Sequence, residues 1–156
     1  MITIEFSDET FMKAALTEAE TAKAKGEVPV GAVVVCNNRI IARAHNLTET
    51  LNDPTAHAEM QAITAASTYL GGKYLDKCSL YVTLEPCTMC AGALFWSRIG
   101  RLVYGTSDEK RGYSLNTDSV LHNKTSVLQG VMERECRNIL QDFFKMKRQD
   151  LSDEIN

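Results

Sequence analysis

The sequence predicts an α/β protein in which one sheet lies between helices on both faces. Helical patterns of apolar residues alternate with short β-branched runs along the 156 residues, and this alternation is typical of a three-layer arrangement. The hydrophobic fraction of 44% is near the globular average, and no apolar run approaches the roughly 20 residues of a membrane helix. We therefore expect one domain over residues 1–150, followed by polar residues 151–156 that fray.

The first half of the chain is predicted to contain a helix, a hairpin of two strands and a second helix. Gly26 ends the first helical pattern, and Asn37 and Asn38 supply the turn of the hairpin. The second helix is expected to start near His57, after a polar stretch. The predicted bounds are 8–25 for the first helix, 30–36 and 39–44 for the strands, and 56–70 for the second helix.

The second half is predicted to contain three strands and two helices. Pro86 stands where a helix can begin, because proline is favoured in the first helical turn. Ile139, Leu140, Phe143 and Phe144 form the apolar stripe of the last helix. The predicted bounds are a strand over 79–84, a helix from the cysteine pair to residue 97, strands over 101–105 and 125–130, and a helix from 132 to about 149.

Charge and the N-terminus limit the function classes without selecting one. The net charge of −3 argues against a uniformly basic nucleic-acid surface, although one basic face can coexist with an acidic total. Short basic clusters, such as those at 110–111 and 145–148, are most often solvated helix faces. Residues 1–6 contain no basic segment followed by an apolar stretch, so we expect no signal peptide and a cytoplasmic protein.

Cys87 and Cys90 form a C-x-x-C motif at a predicted helix start, which directs both sulfurs to the same side. A helix N-terminus also favours the thiolates that a metal needs. Alone, the motif is equally typical of a redox dithiol or of half a structural zinc site. Because Cys36, Cys78 and Cys136 are isolated and the count of five is odd, we expect neither a second cysteine pair nor a disulfide framework.

A His-x-Glu sequence at the preceding helix start supplies partners for these cysteines. Residues two apart point about 200° apart on a helix, so His57 and Glu59 can share a pocket only over the helix end. His57, Cys87 and Cys90 would leave a tetrahedral zinc ion with an open fourth position, as catalytic sites do. Zinc lowers the pKa of bound water towards about 7, and Glu59, which is not a ligand, can carry protons.

The two motifs match the established H-x-E and P-C-x-x-C signature of nucleobase deaminases. With the other matching segments, the chain resembles the cytidine deaminase-like zinc deaminases, and among them the bacterial tRNA adenosine deaminases. The resemblance implies a central mixed five-stranded sheet with helices on both faces, in a single zinc-dependent deaminase domain with one Zn²⁺ per chain. The matching segments are residues 27–33, 53–59, 80–93, 97–101 and 142–149.

The same resemblance implies the reaction and its participants. A homodimer would hydrolyse the wobble adenosine of a tRNA anticodon stem-loop to inosine, with attack at C6 of adenine, proton transfer by Glu59 and release of ammonia. Asn46 would contact the base, and so would the N–H of Ala58, which has no partner within its helix because it lies at the helix start. No membrane is expected as a partner. The substrate-contacting residues expected on this basis are Asn46, Ala58, Val30, Asp108, Phe144 and Arg148.

Residues 110–126 depart from the family pattern, which keeps other interpretations open. His122 in this region either replaces a histidine of the family or is a surface residue. The first alternative function is deamination of a free base or nucleoside, of the guanine or cytosine type, by the same zinc chemistry. The second is a non-catalytic RNA-binding domain in which zinc only stabilises the fold. Glu59 argues against it, because a structural zinc site needs no proton carrier.

Overall fold

The computed structural model describes residues 6–155. Its helices and strands follow the predicted order, so the α/β class and the mixed five-stranded sheet are confirmed. A short 3-10 turn over Tyr113–Leu115 lies in the connection where no element was predicted. The elements are α1 (Asp8–Ala24), β1 (Gly31–Cys36), β2 (Arg39–His45), α2 (Ala58–Leu70), β3 (Cys78–Leu84), α3 (Thr88–Ser97), β4 (Arg101–Thr106), β5 (Ser126–Gln129) and α4 (Glu133–Ile155).

The sheet has the strand order β2-β1-β3-β4-β5. β1 is antiparallel to both β2 and β3, whereas β3, β4 and β5 run parallel to one another. It follows that β2, β3 and β4 end at the same edge of the sheet. Ligands of open α/β sheets bind beyond the carboxyl ends of the strands, so this edge is where a site is expected.

Two apolar clusters cover the two faces of the sheet, as three layers require. Because side chains alternate along a strand, Val33 of β1 packs towards α1 while Val34 packs towards α2 and α3. The cluster on the α1 side also contains Cys136 of α4. The second cluster contains Ala62 of α2 and Leu94 of α3, so these two helices pack on the other face of the sheet.

The last helix is longer than predicted. The expectation that residues 151–156 fray differs from the structure, in which α4 continues to Ile155; Asn156 lies outside the described residues. No glycine or proline follows Gly130, so no residue ends the helix, and Ser152 Oγ donates to the Gln149 carbonyl oxygen at 2.8 Å.

The structure also bears on the expectations about membrane helices, disulfides and a signal peptide. Among residues 6–155, no helix is both long and apolar enough to cross a membrane. All five cysteines are free thiols. The expectation about a signal peptide rests on residues 1–6, of which 1–5 lie outside the described part of the chain.

Candidate active site

A cavity of about 550 Å³ opens at the carboxyl edge of β2, β3 and β4. It combines apolar walls with carboxylates, a thiol and an imidazole, which is typical of a ligand site in which a few polar groups orient the ligand. Its lining residues are Val28, Val30, Asn46, Thr48, His57, Ala58, Glu59, Leu84, Glu85, Cys87, Thr88, Met89, Asp108 and Arg111.

The starts of α2 and α3 supply the central side chains of this cavity. His57 and Cys87 occupy the N-cap positions of the two helices with extended backbone, and neither side chain caps its own helix. Serine, threonine, aspartate and asparagine are the residues that usually cap here. The imidazole and the thiol in these positions make no capping hydrogen bond to their helices, and they line the cavity instead.

The structure brings together the three predicted metal ligands. His57 Nδ1 lies 3.6 Å from Cys87 Sγ and 3.5 Å from Cys90 Sγ, and the three ligand atoms all lie within 4.8 Å of one another. One imidazole and two thiolates form a donor set that suits zinc, and three protein ligands leave a position for a further ligand. The residues present therefore fit a catalytic zinc ion.

Hydrogen bonds within this cluster shift the pKa values of its two thiols in opposite directions. Hydrogen bonds that the Cys87 sulfur accepts from Cys90 and from His57 lower the pKa of the Cys87 thiol to about 4. The same contact with Cys87 raises the pKa of Cys90, and a hydrogen bond to Cys87 raises the pKa of His57. Cys87 is thus held as a thiolate, the form that binds metal ions.

Glu59 lies in the first turn of α2, one residue after Ala58, and its side chain is only 4% exposed. Burial raises the pKa of its carboxyl, and Cys90 contacts it by a hydrogen bond. Glu59 lines the same cavity as His57 and Cys87, two of the three candidate ligands. The sequence-based condition that His57 and Glu59 share a pocket over the helix end is met.

Three of the six residues expected to contact substrate lie on the wall on the β1 and β2 side of the cavity. Asn46, directly after β2, is buried; its Nδ2 donates to the Val28 carbonyl oxygen and its Oδ1 accepts from Thr48 N, both at 3.4 Å. Val30, before β1, and Ala58, the first residue of α2, complete this wall. The N–H of Ala58 has no acceptor within its own helix.

Asp108 also lines the cavity, on the loop that follows β4. Its Oδ1 accepts hydrogen bonds from the backbone N–H groups of Lys110 and Arg111, both at 3.0 Å. One carboxylate oxygen of Asp108 is therefore engaged by its own loop.

The structure does not bring Phe144 and Arg148 to the cavity wall. Both lie on α4, and Phe144, 44% exposed, contacts the ring of Phe143. His122 also lies away from the cavity: its Nδ1 accepts from Lys124 N at 3.1 Å and its ring lies 5.8 Å from that of Phe95. Any contact of these residues with a ligand in the cavity needs a ligand that extends beyond it.

Two buried carboxylates beside the cavity were not predicted. Glu27, fully buried, accepts from Glu49 N at 2.8 Å, Thr50 N at 3.1 Å and Thr50 Oγ1 at 3.0 Å. Glu85, also buried, accepts from the loop after β4. Each glutamate stands next to an apolar strand segment in the sequence, and that placement is the signal that could have identified them.

A three-layer fold with a histidine, two cysteines and a buried glutamate around one cavity defines the class of zinc-dependent deaminases. Comparison with known families extends this result: residues 6–148 match the model of the MafB19-like deaminases. The chain belongs to the MafB19-like deaminase family and is an enzyme of the deaminase class.

Individual relatives are similar over most of their length. The tRNA-specific adenosine deaminase of Bacillus subtilis (strain 168) is 48% identical, with 90% of this chain and 91% of the relative covered. A solved structure from work on A-to-I editing by tRNA:A34 deaminases at the wobble position is 46% identical, with a TM-score of 0.79, covering 84% of this chain and 99% of that one. A guanine deaminase structure from Bacillus subtilis is 45% identical over 65% of each chain, with a TM-score of 0.62.

Proposed function

We propose that this enzyme hydrolyses the wobble adenosine of a tRNA anticodon to inosine and releases ammonia. The observation that carries the proposal is the cavity lined by Glu59, His57 and Cys87, with Cys90 completing the group of candidate metal ligands. The substrate is inferred from the relatives named tRNA-specific adenosine deaminase, which match nine-tenths of the chain.

In this proposal His57, Cys87 and Cys90 hold one zinc ion per chain. Zinc supplies Lewis-acid chemistry, which lowers the pKa of water towards about 7 and so makes a nucleophile available at neutral pH. The ligands sit at the starts of α2 and α3, where the positive ends of two helix dipoles stabilise the thiolates.

Glu59 would move the protons of the reaction. Its carboxylate accepts the proton that the attacking water loses, and delivers protons to the ring nitrogen beside C6 and then to the departing amino group. A C–O bond forms at C6, the C–N bond to the amino group breaks, and one water is consumed for each ammonia released. Burial of Glu59 keeps bulk water from competing for these protons.

The wall formed by Val30, Asn46 and Ala58 would hold the base. Val30 offers an apolar surface for the ring, while the amide of Asn46 and the N–H of Ala58 offer hydrogen bonds to its edge. A base inside a cavity of about 550 Å³ has to be extruded from its strand. Asp108 at the wall, with Phe144 and Arg148 on α4, would then meet the flanking nucleotides outside the cavity.

The substrate is tested by measuring ammonia release from four compounds: an anticodon stem-loop with a wobble adenosine, free adenosine, guanine and cytosine. We expect turnover of the stem-loop, with conversion of its wobble adenosine to inosine, and little turnover of the small compounds, because the flanking nucleotides supply binding energy that a free base lacks. A stem-loop with guanosine at the wobble position is the matched control. Turnover of a small substrate alone would overturn the RNA proposal.

Deamination of a free base is the second candidate. The similarity to a guanine deaminase structure favours it, at 45% identity over 65% of each chain. Both candidates use the same four residues, so only the substrate comparison separates them. Guanine turnover without stem-loop turnover would select this alternative.

We also propose that the enzyme is a homodimer and that α3 lies in the interface. The segment Thr88–Ser97 contains no charged residue, yet Trp96 is 77% exposed and Phe95 and Met89 are also exposed. The rings of Phe95 and Trp96 lie 5.4 Å apart and form one apolar patch. Such a patch on an uncharged helix suits an apolar partner surface, and a second copy of this chain presents the same patch.

Introducing a charge into this patch should dissociate the dimer. Trp96→Glu places a carboxylate where the apolar contact would form, so we expect a monomer in sedimentation velocity while the parent protein sediments as a dimer. Ile155→Glu, at an exposed position at the end of α4, should leave the dimer intact. A monomeric parent protein at micromolar concentration would contradict the proposal.

The extent of the domain and the cellular location are also part of the proposal. We infer that residues 1–150 act as one zinc-dependent deaminase domain, supported by the single five-stranded sheet of the described residues. A cytoplasmic location agrees with the free cysteines and with a transfer RNA substrate.

A further inference from the structure

The loop after β4, residues 107–114, is hydrogen-bonded to the segment that carries Cys87. Glu85 Oε1 accepts from Asp108 N at 3.3 Å, and Glu85 Oε2 accepts from Ser114 N at 3.0 Å and from Ser114 Oγ at 2.9 Å. Tyr113 N donates to the Pro86 carbonyl oxygen at 2.9 Å. The loop therefore has a defined position relative to the metal site, although part of it departs from the family pattern.

Gly112 allows this close approach. A Cβ at residue 112 would collide with the Glu85 carboxylate and lie 2.6 Å from the Asp108 carbonyl oxygen, so no larger residue fits. Gly112 N also donates to that carbonyl oxygen at 3.0 Å. The turn between Asp108 and Gly112 is thus closed on itself and packed against the buried glutamate.

This anchored turn presents Arg111 to the cavity. Arg111 is the one lysine or arginine among the lining residues of the cavity in the described chain, and its side chain is exposed. No carboxylate of residues 6–155 forms an ion pair with it. Asp108, three residues before Arg111, accepts a hydrogen bond from the Arg111 backbone N–H, which orients the loop.

We propose that Arg111 binds a backbone phosphate of the RNA next to the extruded base, from a position that Glu85 and Gly112 hold at the mouth of the cavity. The inference rests on the proposed RNA substrate and names a binding residue for it. A free nucleobase carries no anionic group at neutral pH, so it gives a cation at this position nothing to bind.

The charges of the cavity support a phosphate as the partner. The lining contains three acidic residues, Glu59, Glu85 and Asp108, which repel a polyanion that approaches the metal site. A planar guanidinium binds phosphate through two parallel hydrogen bonds and offsets this repulsion locally. The net charge of −3 gives the chain no general attraction for RNA, so a single placed cation matters more here than on a basic protein.

The test compares Arg111→Ala with Arg39→Ala, both in the zinc-loaded Glu59→Gln protein so that the RNA stays unreacted. Arg39 is exposed and starts β2, at the edge of the sheet opposite the cavity, which makes it the matched control. The dissociation constant of the wobble-adenosine stem-loop is measured over a range of salt concentrations. Hydrogen exchange of residues 107–114 shows whether the loop keeps its structure.

We expect Arg111→Ala to raise the dissociation constant roughly tenfold, which corresponds to about 1.4 kcal/mol. The slope of log affinity against log salt should become shallower by roughly 0.7, the value for one phosphate contact on a single strand. Arg111→Lys should restore the slope and part of the affinity, and Arg39→Ala should change neither quantity.

An unchanged salt slope in Arg111→Ala overturns the phosphate assignment, and so does a weaker affinity that accompanies faster hydrogen exchange of the loop. Failure of the proposed function has a different signature. In that case the protein with both Glu59 and Arg111 intact neither binds nor deaminates the stem-loop.

Discussion

The Glu59→Gln protein is expected to lose activity by roughly 10²- to 10⁴-fold, the usual contribution of a general acid–base residue. Glutamine keeps the shape of the side chain and its place in the first turn of α2, but its amide carries no proton to and from the reacting atoms. The turnover number on the stem-loop should therefore fall much more than the affinity changes. Ammonia release under single-turnover conditions measures it.

The control for this substitution is Glu20→Gln, which removes an exposed carboxylate from α1, on the other side of the sheet. Zinc content and thermal unfolding should be unchanged in both variants. Full activity of Glu59→Gln would refute the proton-carrier role. A parent protein that binds the stem-loop without turning it over would instead support the non-catalytic RNA-binding alternative.

The Cys87→Ala protein is expected to lose its metal and, with it, its activity. Cys87 is the thiolate of the cluster, and its Sγ lies 3.6 Å from His57 Nδ1. Loss of an outer-shell partner alone typically weakens metal affinity 10- to 100-fold, so removing a direct ligand should cost more than about 100-fold. Elemental analysis after dialysis should find about one zinc per parent chain and close to none in the variant.

The matched control is Cys36→Ala, which removes a partly buried thiol at the end of β1, outside the cavity. It should keep its zinc. Stoichiometric zinc in Cys87→Ala after dialysis would show that Cys87 is not a ligand. If elemental analysis found iron in the parent protein, the ligand assignment would stand and only the identity of the metal would change.

The order of helices and strands could be predicted because it depends on local patterns. Apolar residues at three- and four-residue steps predicted α1 and the core of α4, and β-branched runs predicted β1 and β3. The predicted bounds of these elements agree with the structure within one residue, except at the C-terminal end of α4. The end of α4 was missed because composition alone suggested fraying, whereas a helix without a terminating residue continues.

The grouping of the candidate metal ligands with Glu59 could also be predicted, because two short motifs at helix starts together match a known signature, although His57 and Cys87 lie 30 residues apart in the sequence. The positions of Phe144, Arg148 and His122 could not: where α4 lies relative to the cavity depends on packing between distant segments. Glu27 and Glu85 gave only weak signals, since a glutamate beside a strand does not reveal which backbone N–H groups it will meet.

The sequence by itself determined the class of chemistry, through the spacing of His57 with Glu59 and of Cys87 with Cys90. The three-residue spacing of the cysteines on a first helical turn directs both sulfurs to one side, and the match to a known signature relates this pair to His57 and Glu59. Only the tertiary structure decided what surrounds them: the carboxylate of Glu85 meets the loop after β4, and Arg111 faces the cavity as a result. Those contacts join segments more than 20 residues apart, and chain spacing does not constrain them.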